Sequence, residues 1–370
     1  MNARKKSILE TLDSNWITTG PKVKKFEELF SNYIGCKHSI ALNSCTAALH
    51  LSLLVNNISK DDEVIIPIMT FAATANVVIH CNAKPVFCDI NPETLNIDVN
   101  KIEKLITKKT KAIIPVHIAG QPCEMDTINY LANKYNLKII EDAAHATEAY
   151  YKGKKIGFEN ISCFSFYATK NITTAEGGML TTNNDLIAEK VRILSLHGMS
   201  KDAWKRYSNE GYKHYDIIYP GFKYNMTDIQ ASLGICQLEK INNFLKRRNE
   251  IKKLYDNLLS EVEEISVIKE IDNIVHARHL YIIKLSENID RDKFMNQLIN
   301  QNIGVSVHFL PLHFHSYYKK TFNLKNEDFP NATNVGNRIL SLPFYPKLKD
   351  DEVIYITDKI KEIINNSYIS

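Results

Sequence analysis

KAIIPVHI (residues 111–118) and LKIIEDA (residues 137–143) are short runs in which apolar residues sit side by side instead of alternating. That texture belongs to strands buried on both faces. It recurs in HSIALN (38–43), DEVIIPIM (62–69) and KPVFCDI (84–90), and the segments between most of these runs have helical length and pattern. Alternation of this kind predicts an α/β domain with a mainly parallel sheet, because parallel neighbours need crossover connections and those connections carry helices. Ligands then gather at the carboxyl ends of the strands. Upstream, PKVKKFEELFSNYIG (21–35) is opened by Pro21, closed by Gly35 and apolar at helical spacing, so it reads as the first helix. After residue 183 helix-length segments dominate to about residue 260, followed by the strand-like runs HLYIIKL (279–285) and GVSVHF (304–309) among further helices. The expected organisation is a large α/β domain over residues 1–245 and a smaller C-terminal α+β domain over residues 246–370, divided within NNFLKRRNE (242–250).

The chain has 370 residues, 44% of them apolar and 24% charged, the balance of a globular protein with a sizeable core. Its 46 basic and 42 acidic residues leave a net charge of +4, too small a surplus to argue for a nucleic-acid or membrane partner. Seven scattered cysteines, none spaced as CxxC, suggest reduced thiols rather than a disulfide framework or a structural zinc site. The amino terminus is charged with no apolar run behind it, and no stretch is apolar enough to cross a bilayer, so a cytoplasmic protein is expected.

Three segments carry the chemistry. In FSFYATKNITTAEGGML (164–180), Lys170 lies between two strand-like apolar runs. Low-dielectric surroundings disfavour its ammonium form, which is what a lysine needs in order to attack an aldehyde. In EDAAHA (141–146), Asp142 ends a strand and could hold a cation at the sheet's carboxyl edge, or cap the next helix; His145 could brace it or simply pack. In LNSCTAALHL (42–51) a strand gives way at once to a helix whose first amides could bind phosphate, helped by the hydroxyls of Thr46 and Ser165, although Ser44 is equally readable as a plain N-cap. The loops that cradle ATP or dinucleotides are missing, as is the nucleophile elbow of serine hydrolases. His308, His313 and His315 have no carboxylate or cysteine at ligand spacing, so no metal is expected.

Taken in order, SNWITTGPKVKKFEELF (14–30), NSCTAALHL (43–51), EDAAHA, SFYATKNITTAEGGM (165–179), PGFKYNMTDIQAS (220–232) and LSLPFYP (340–346) resemble the signature segments of the DegT/StrS family of nucleotide-sugar aminotransferases, across almost the whole chain. The resemblance implies the fold type I architecture of aspartate aminotransferase, pyridoxal 5′-phosphate as cofactor and a homodimer with shared active sites. Lys170 would hold the cofactor covalently, Asp142 would pair with its ring nitrogen, and Phe71 in MTFAATAN (69–76) would stack on its ring, with His145 nearby. Cys45, Thr46, Ala47 and Ser165 match cofactor and phosphate contacts, and Asn225 matches a residue delivered to the phosphate from the partner subunit. His308 falls in the segment lining the sugar pocket, and Arg338 is a candidate for binding a carboxylate.

TKNITTAEGG (169–178) further resembles the family members that aminate carbon 4 of a nucleotide-linked 4-keto sugar with L-glutamate, as opposed to carbon 3. HGMSKDAWKRY (197–207) is similar to the subgroup that includes the aminoarabinose-forming enzyme of lipid A modification. Two departures are Phe71, where that subgroup has tryptophan, and Ala175, where many relatives have glycine. The competing expectations are a non-catalytic sensor that keeps the fold, and a different pyridoxal-phosphate reaction on the same scaffold.

Overall fold

The computed structural model describes residues 3–200 and 215–367. Thirteen strands are found among them: β1 His38–Leu42, β2 Glu63–Pro67, β3 Lys84–Cys88, β4 Thr110–Ile113, β5 Lys138–Asp142, β6 Tyr150–Tyr151, β7 Lys154–Lys155, β8 Ile161–Ser165, β9 Gly178–Thr182, β10 Ile265–Val267, β11 Ile274–Val275, β12 Tyr281–Leu285 and β13 Ile339–Leu342. The five apolar runs read first in the sequence are β1 to β5. They join β8 and β9 in a seven-stranded sheet of order β1-β9-β8-β5-β4-β2-β3. Only β9 runs against its neighbours; β2, β3, β4, β5 and β8 pair parallel. The expected mainly parallel α/β sheet is what forms, and it is sandwiched between helices.

Because β1, β2, β5 and β8 run in the same direction, their carboxyl ends lie along a single edge. Because β9 is reversed, its first residue, Gly178, lies on that edge too. The connection from β8 to β9 therefore hangs Lys170 over the same edge where β5 ends in Asp142.

Helix α1 spans Ala3–Asp13, α2 Pro21–Ile34, α3 Cys45–Val55 and α4 Ala72–His80. In α2 the buried residues Val23, Phe26, Phe30 and Ile34 form one stripe, and Gly35 ends it at φ 85°, its N–H bonded to Ser31 O at 2.8 Å. Helix α1 carries no apolar stripe. It docks on helix Asp228–Leu238 through small polar residues, Ser7 Oγ donating to Ser232 O at 3.3 Å, so hydrophobic periodicity could not reveal it.

A second, antiparallel sheet of order β10-β12-β13 is covered by helices Ile241–Leu259, Arg291–Asn300 and Asp350–Ser367 around a separate apolar cluster that includes Tyr255, Phe294 and Ile360. The run GVSVHF differs from its expected strand. It makes one bridge, Ser306 opposite Ser341, and then leaves the sheet. Pro311 follows with no N–H to offer, and the departing chain carries His308 and Phe309 to the carboxyl edge of the large sheet. Among the described residues, no helix is long and apolar enough to cross a membrane.

Candidate active site

The strand ends at this edge surround a cavity of about 1320 Å³. Lys170 lies on its wall, in a turn where its N–H donates to Tyr167 O at 3.0 Å. Its amine forms no ion pair among the described residues. Burial, only partly offset by the charges of Cys45 and Asp142, pushes its pKa down to about 8. About a tenth of it is thus neutral near pH 7 and able to attack a carbonyl carbon.

Asp142 is buried at the end of β5. Its Oδ2 accepts from Thr74 Oγ1 at 2.8 Å and its Oδ1 from the Ala144 N–H at 3.2 Å. Thr70 Oγ1 lies 2.8 Å behind Thr74 Oγ1. Burial raises the carboxyl above its ordinary range, while these hydrogen bonds and the charges of Lys170 and His117 draw it back. A carboxylate held this way and open to the cavity on its remaining side suits a protonated ring nitrogen.

The start of α3 forms another part of the wall. Ser44 Oγ accepts the Ala47 N–H at 3.0 Å, so Ser44 is an N-cap and the Ala47 amide is already engaged. The amides of Cys45 and Thr46 precede the first intrahelical bond and stay available to an anion. Only glycine lets β9 start here: a Cβ on Gly178 would lie 2.3 Å from the Ser44 carbonyl carbon. Cys45 turns its thiol to Cys163 O at 3.3 Å, and burial holds that thiol well above its ordinary pKa, so it is no nucleophile. Ser165 Oγ accepts from the Tyr167 N–H at 3.4 Å and lines the cavity.

His145 does not brace Asp142. Its Nδ1 accepts the Ala119 N–H at 3.2 Å, and its ring stacks on Phe309 with centroids 5.7 Å apart. Phe71 begins α4 on the open side of the cavity, 61% exposed and 5.8 Å from Phe309. His308 lines the opposite wall, its Nδ1 2.9 Å from Ser341 Oγ, and burial together with the Lys170 charge pushes it down to about 4.

Three predicted residues lie off this wall, the first being Ala47, whose N–H is taken by Ser44 Oγ. Arg338 faces Glu287 at 3.0 Å and does not reach the cavity. Asn225 donates from Nδ2 to Thr19 Oγ1 at 2.7 Å, while its Oδ1 is buried with no partner among the described residues. Of the segment HGMSKDAWKRY, residues 201–207 lie outside the described residues.

The sequence reading passed over Thr74, Asn171 and His279. Thr74 follows Phe71 by one helical turn, and Asn171 adjoins Lys170, so both were within quoted motifs. His279 opens the HLYIIKL run, where nothing local marks it. As a whole the cavity offers amides for an anion, a carboxylate for a protonated nitrogen and an amine for an aldehyde.

A family model described as the DegT/DnrJ/EryC1/StrS aminotransferase family matches residues 1–361. The chain is 57% identical over 364 residues to the uncharacterized protein MJ1066 of Methanocaldococcus jannaschii, covering 97% of this chain and 94% of that one. It is 46% identical over 365 residues to the spore coat polysaccharide biosynthesis protein SpsC of Bacillus subtilis, again covering 97% and 94%. Its structure is similar to that of the putative sugar aminotransferase Spr1654 from Streptococcus pneumoniae in its PMP form, with TM-score 0.93, 36% identity and coverage of 99% of this chain and 97% of that one. The PLP form of the same protein gives TM-score 0.92.

Proposed function

The chain belongs to the DegT/DnrJ/EryC1/StrS aminotransferase family, and within it we propose that the enzyme moves an amino group from L-glutamate to the C4 keto group of a nucleotide-linked 4-keto sugar. It is a pyridoxal-phosphate-dependent sugar aminotransferase. The observation that carries the site assignment is Lys170, a half-buried amine that forms no ion pair among the described residues, in one cavity with Asp142 and the open amides of α3. The lysine segment TKNITTAEGG supports carbon 4 over carbon 3.

Bound in this cavity, pyridoxal phosphate would withdraw electrons from the amino-acid carbon that loses its proton. Asp142, held by Thr74 and Ala144, would keep the ring nitrogen protonated. The amides of Cys45 and Thr46, with Ser165, would hold the phosphate, and Phe71 and His145 would flank the ring. Lys170 would also act as the base that receives and returns the proton, a task matched to a pKa of about 8. The sugar would enter past His308.

We further propose a homodimer in which Asn225 reaches the partner's phosphate site. Its unpaired Oδ1 supports this, as do the exposed Trp16 and Ile17 beside the Thr19 that holds it. All seven cysteines are free and buried, which fits a reducing, cytoplasmic setting.

The test is to incubate the enzyme with L-glutamate and a panel of nucleotide-linked 3-keto and 4-keto sugars, and to locate the new amine by mass spectrometry and NMR. Amination at carbon 4 with release of 2-oxoglutarate is expected. Amination at carbon 3 only, or none with glutamate as donor, would overturn the proposal.

A further inference from the structure

Behind the cavity wall, hydrogen bonds run from the helix Ile241–Leu259 to a histidine that the proposed chemistry has not used. Arg248 pairs with Glu148, and both are buried. Glu148 Oε2 accepts from Asn171 Nδ2 at 2.6 Å, and the same amide nitrogen donates to Ala277 O at 2.8 Å. With both its hydrogens committed, Nδ2 fixes which way the amide points, so Asn171 Oδ1 is the atom that meets His279 Nδ1 at 2.9 Å. An amide oxygen can only accept. The proton of His279 must therefore sit on Nδ1, which leaves Nε2 as an acceptor.

His145 carries the opposite constraint. Its Nδ1 accepts a backbone N–H from Ala119, so when neutral it bears its proton on Nε2. The two rings lie with centroids 4.2 Å apart, and both line the cavity. Neither Nε2 has a protein partner among the described residues, and neither is sealed off from the cavity.

The backbone that holds this pair is strained. Ala119 has φ 54° and Arg278 φ 56°, left-handed conformations that a non-glycine residue rarely adopts. Gly120 sits at φ 95°, where a Cβ would come within 2.8 Å of His145 O. The two strained segments are tied together: the Ala277 N–H donates to Gly120 O and the His279 N–H to Ala119 O, both at 2.9 Å. Strain kept at two facing turns, whose product is one imidazole laid against another on a cavity wall, points to use and not to packing alone.

We propose that Glu148, Asn171 and His279 form a positioning relay that locks His279 in its Nδ1–H tautomer, so that the cavity wall presents one accepting imidazole nitrogen beside the donating Nε2 of His145. A sugar hydroxyl or keto oxygen meeting that wall finds a neutral acceptor and a neutral donor in fixed places, and no net charge is added beside Lys170. The charged and titratable groups facing His279 are Lys170, Arg248, His308, His276 and His145, with Glu148 behind Asn171. The role in turnover rests on Lys170 and Asp142 being the reaction centre; the tautomer does not.

The first test uses the ligand-free wild-type protein labelled with 15N-histidine, in which NMR reads the two ring nitrogens separately. His279 is expected to be protonated at Nδ1 alone and His145 at Nε2 alone from pH 6 to 8. An Nε2–H tautomer or an imidazolium at His279 would overturn the relay, whatever the substrate proves to be. The second test is Asn171→Ala, which removes the acceptor. Mixed His279 tautomers are expected in the same spectrum, with kcat lowered and KM for glutamate less affected. A single retained tautomer would show that the relay does not set it, and the wild-type spectrum decides the proposal should that variant not fold.

Discussion

Two sets of buried opposite charges lie within reach of each other in this protein and are arranged in opposite ways. Glu148 and Arg248 are joined directly, with Asn171 satisfying a second carboxylate oxygen. Asp142 and Lys170 feel each other's charge but form no ion pair. In the first set each charge has its counter-charge, so it holds the fold and orients Asn171. The second is incomplete, and a buried charge without a partner is costly, so its retention at a strand-end cavity marks the place where a ligand supplies what is missing.

Substitutions can break that contrast. Lys170→Met is expected to abolish transamination and the visible absorbance of the bound cofactor, while the ligand-free protein becomes no less stable at pH 7. The sign follows from linkage. The folded pKa of about 8 lies below the ordinary 10.5, so the ammonium destabilises the ligand-free fold at pH 7, and that cost fades as pH rises from about 8 toward 10.5. A large drop in the denaturation midpoint of Lys170→Met would make the amine structural. Asp142→Asn should slow turnover by the equivalent of about 3–5 kcal/mol, the typical cost of removing one member of a buried pair; near-normal kcat would mean that no protonated ring nitrogen rests there.

At the completed pair the response should move to stability. Arg248→Met leaves Glu148 buried without its counter-charge and should cost about 3–5 kcal/mol in urea unfolding, most of it recovered when Glu148→Leu is added. No recovery would show that the two charges act separately. The rate at which ligand-free protein captures pyridoxal phosphate should rise with pH and level off above about 8, following the neutral fraction of Lys170. A rate still climbing toward pH 10 would place that amine in water.

The smallest effect concerns the backbone of the lysine loop. Ala175 sits at φ 68°, a left-handed position that favours glycine. Ala175→Gly should therefore stabilise the protein by about 1 kcal/mol. Unchanged or lower stability would show that the loop relaxes without it.

What was legible in the sequence follows the same division. Lys170, Asp142 and the start of α3 could be read because each sits where an apolar strand run ends, and in a parallel sheet strand ends share one edge. The five strands at the core were legible for the same reason. Helix α1 was not, since Ser7 and Thr11 rather than large apolar residues face the helix Asp228–Leu238. GVSVHF has a strand's composition but keeps one bridge to β13, because its later residues are drawn to the cavity. His279 was invisible: what singles it out is Asn171, Ala119 and His145 arriving from three distant segments, and no local spacing records that. Arg338 carried a charge that suited a carboxylate, and the fold spends it on Glu287.

The central claim is that one sheltered amine binds the cofactor covalently. Reducing the purified holoenzyme with borohydride and mapping the modified peptide by mass spectrometry tests it directly. The account predicts a pyridoxyl label on Lys170, in the peptide containing SFYATKN; a label on another lysine, or on none, would contradict it.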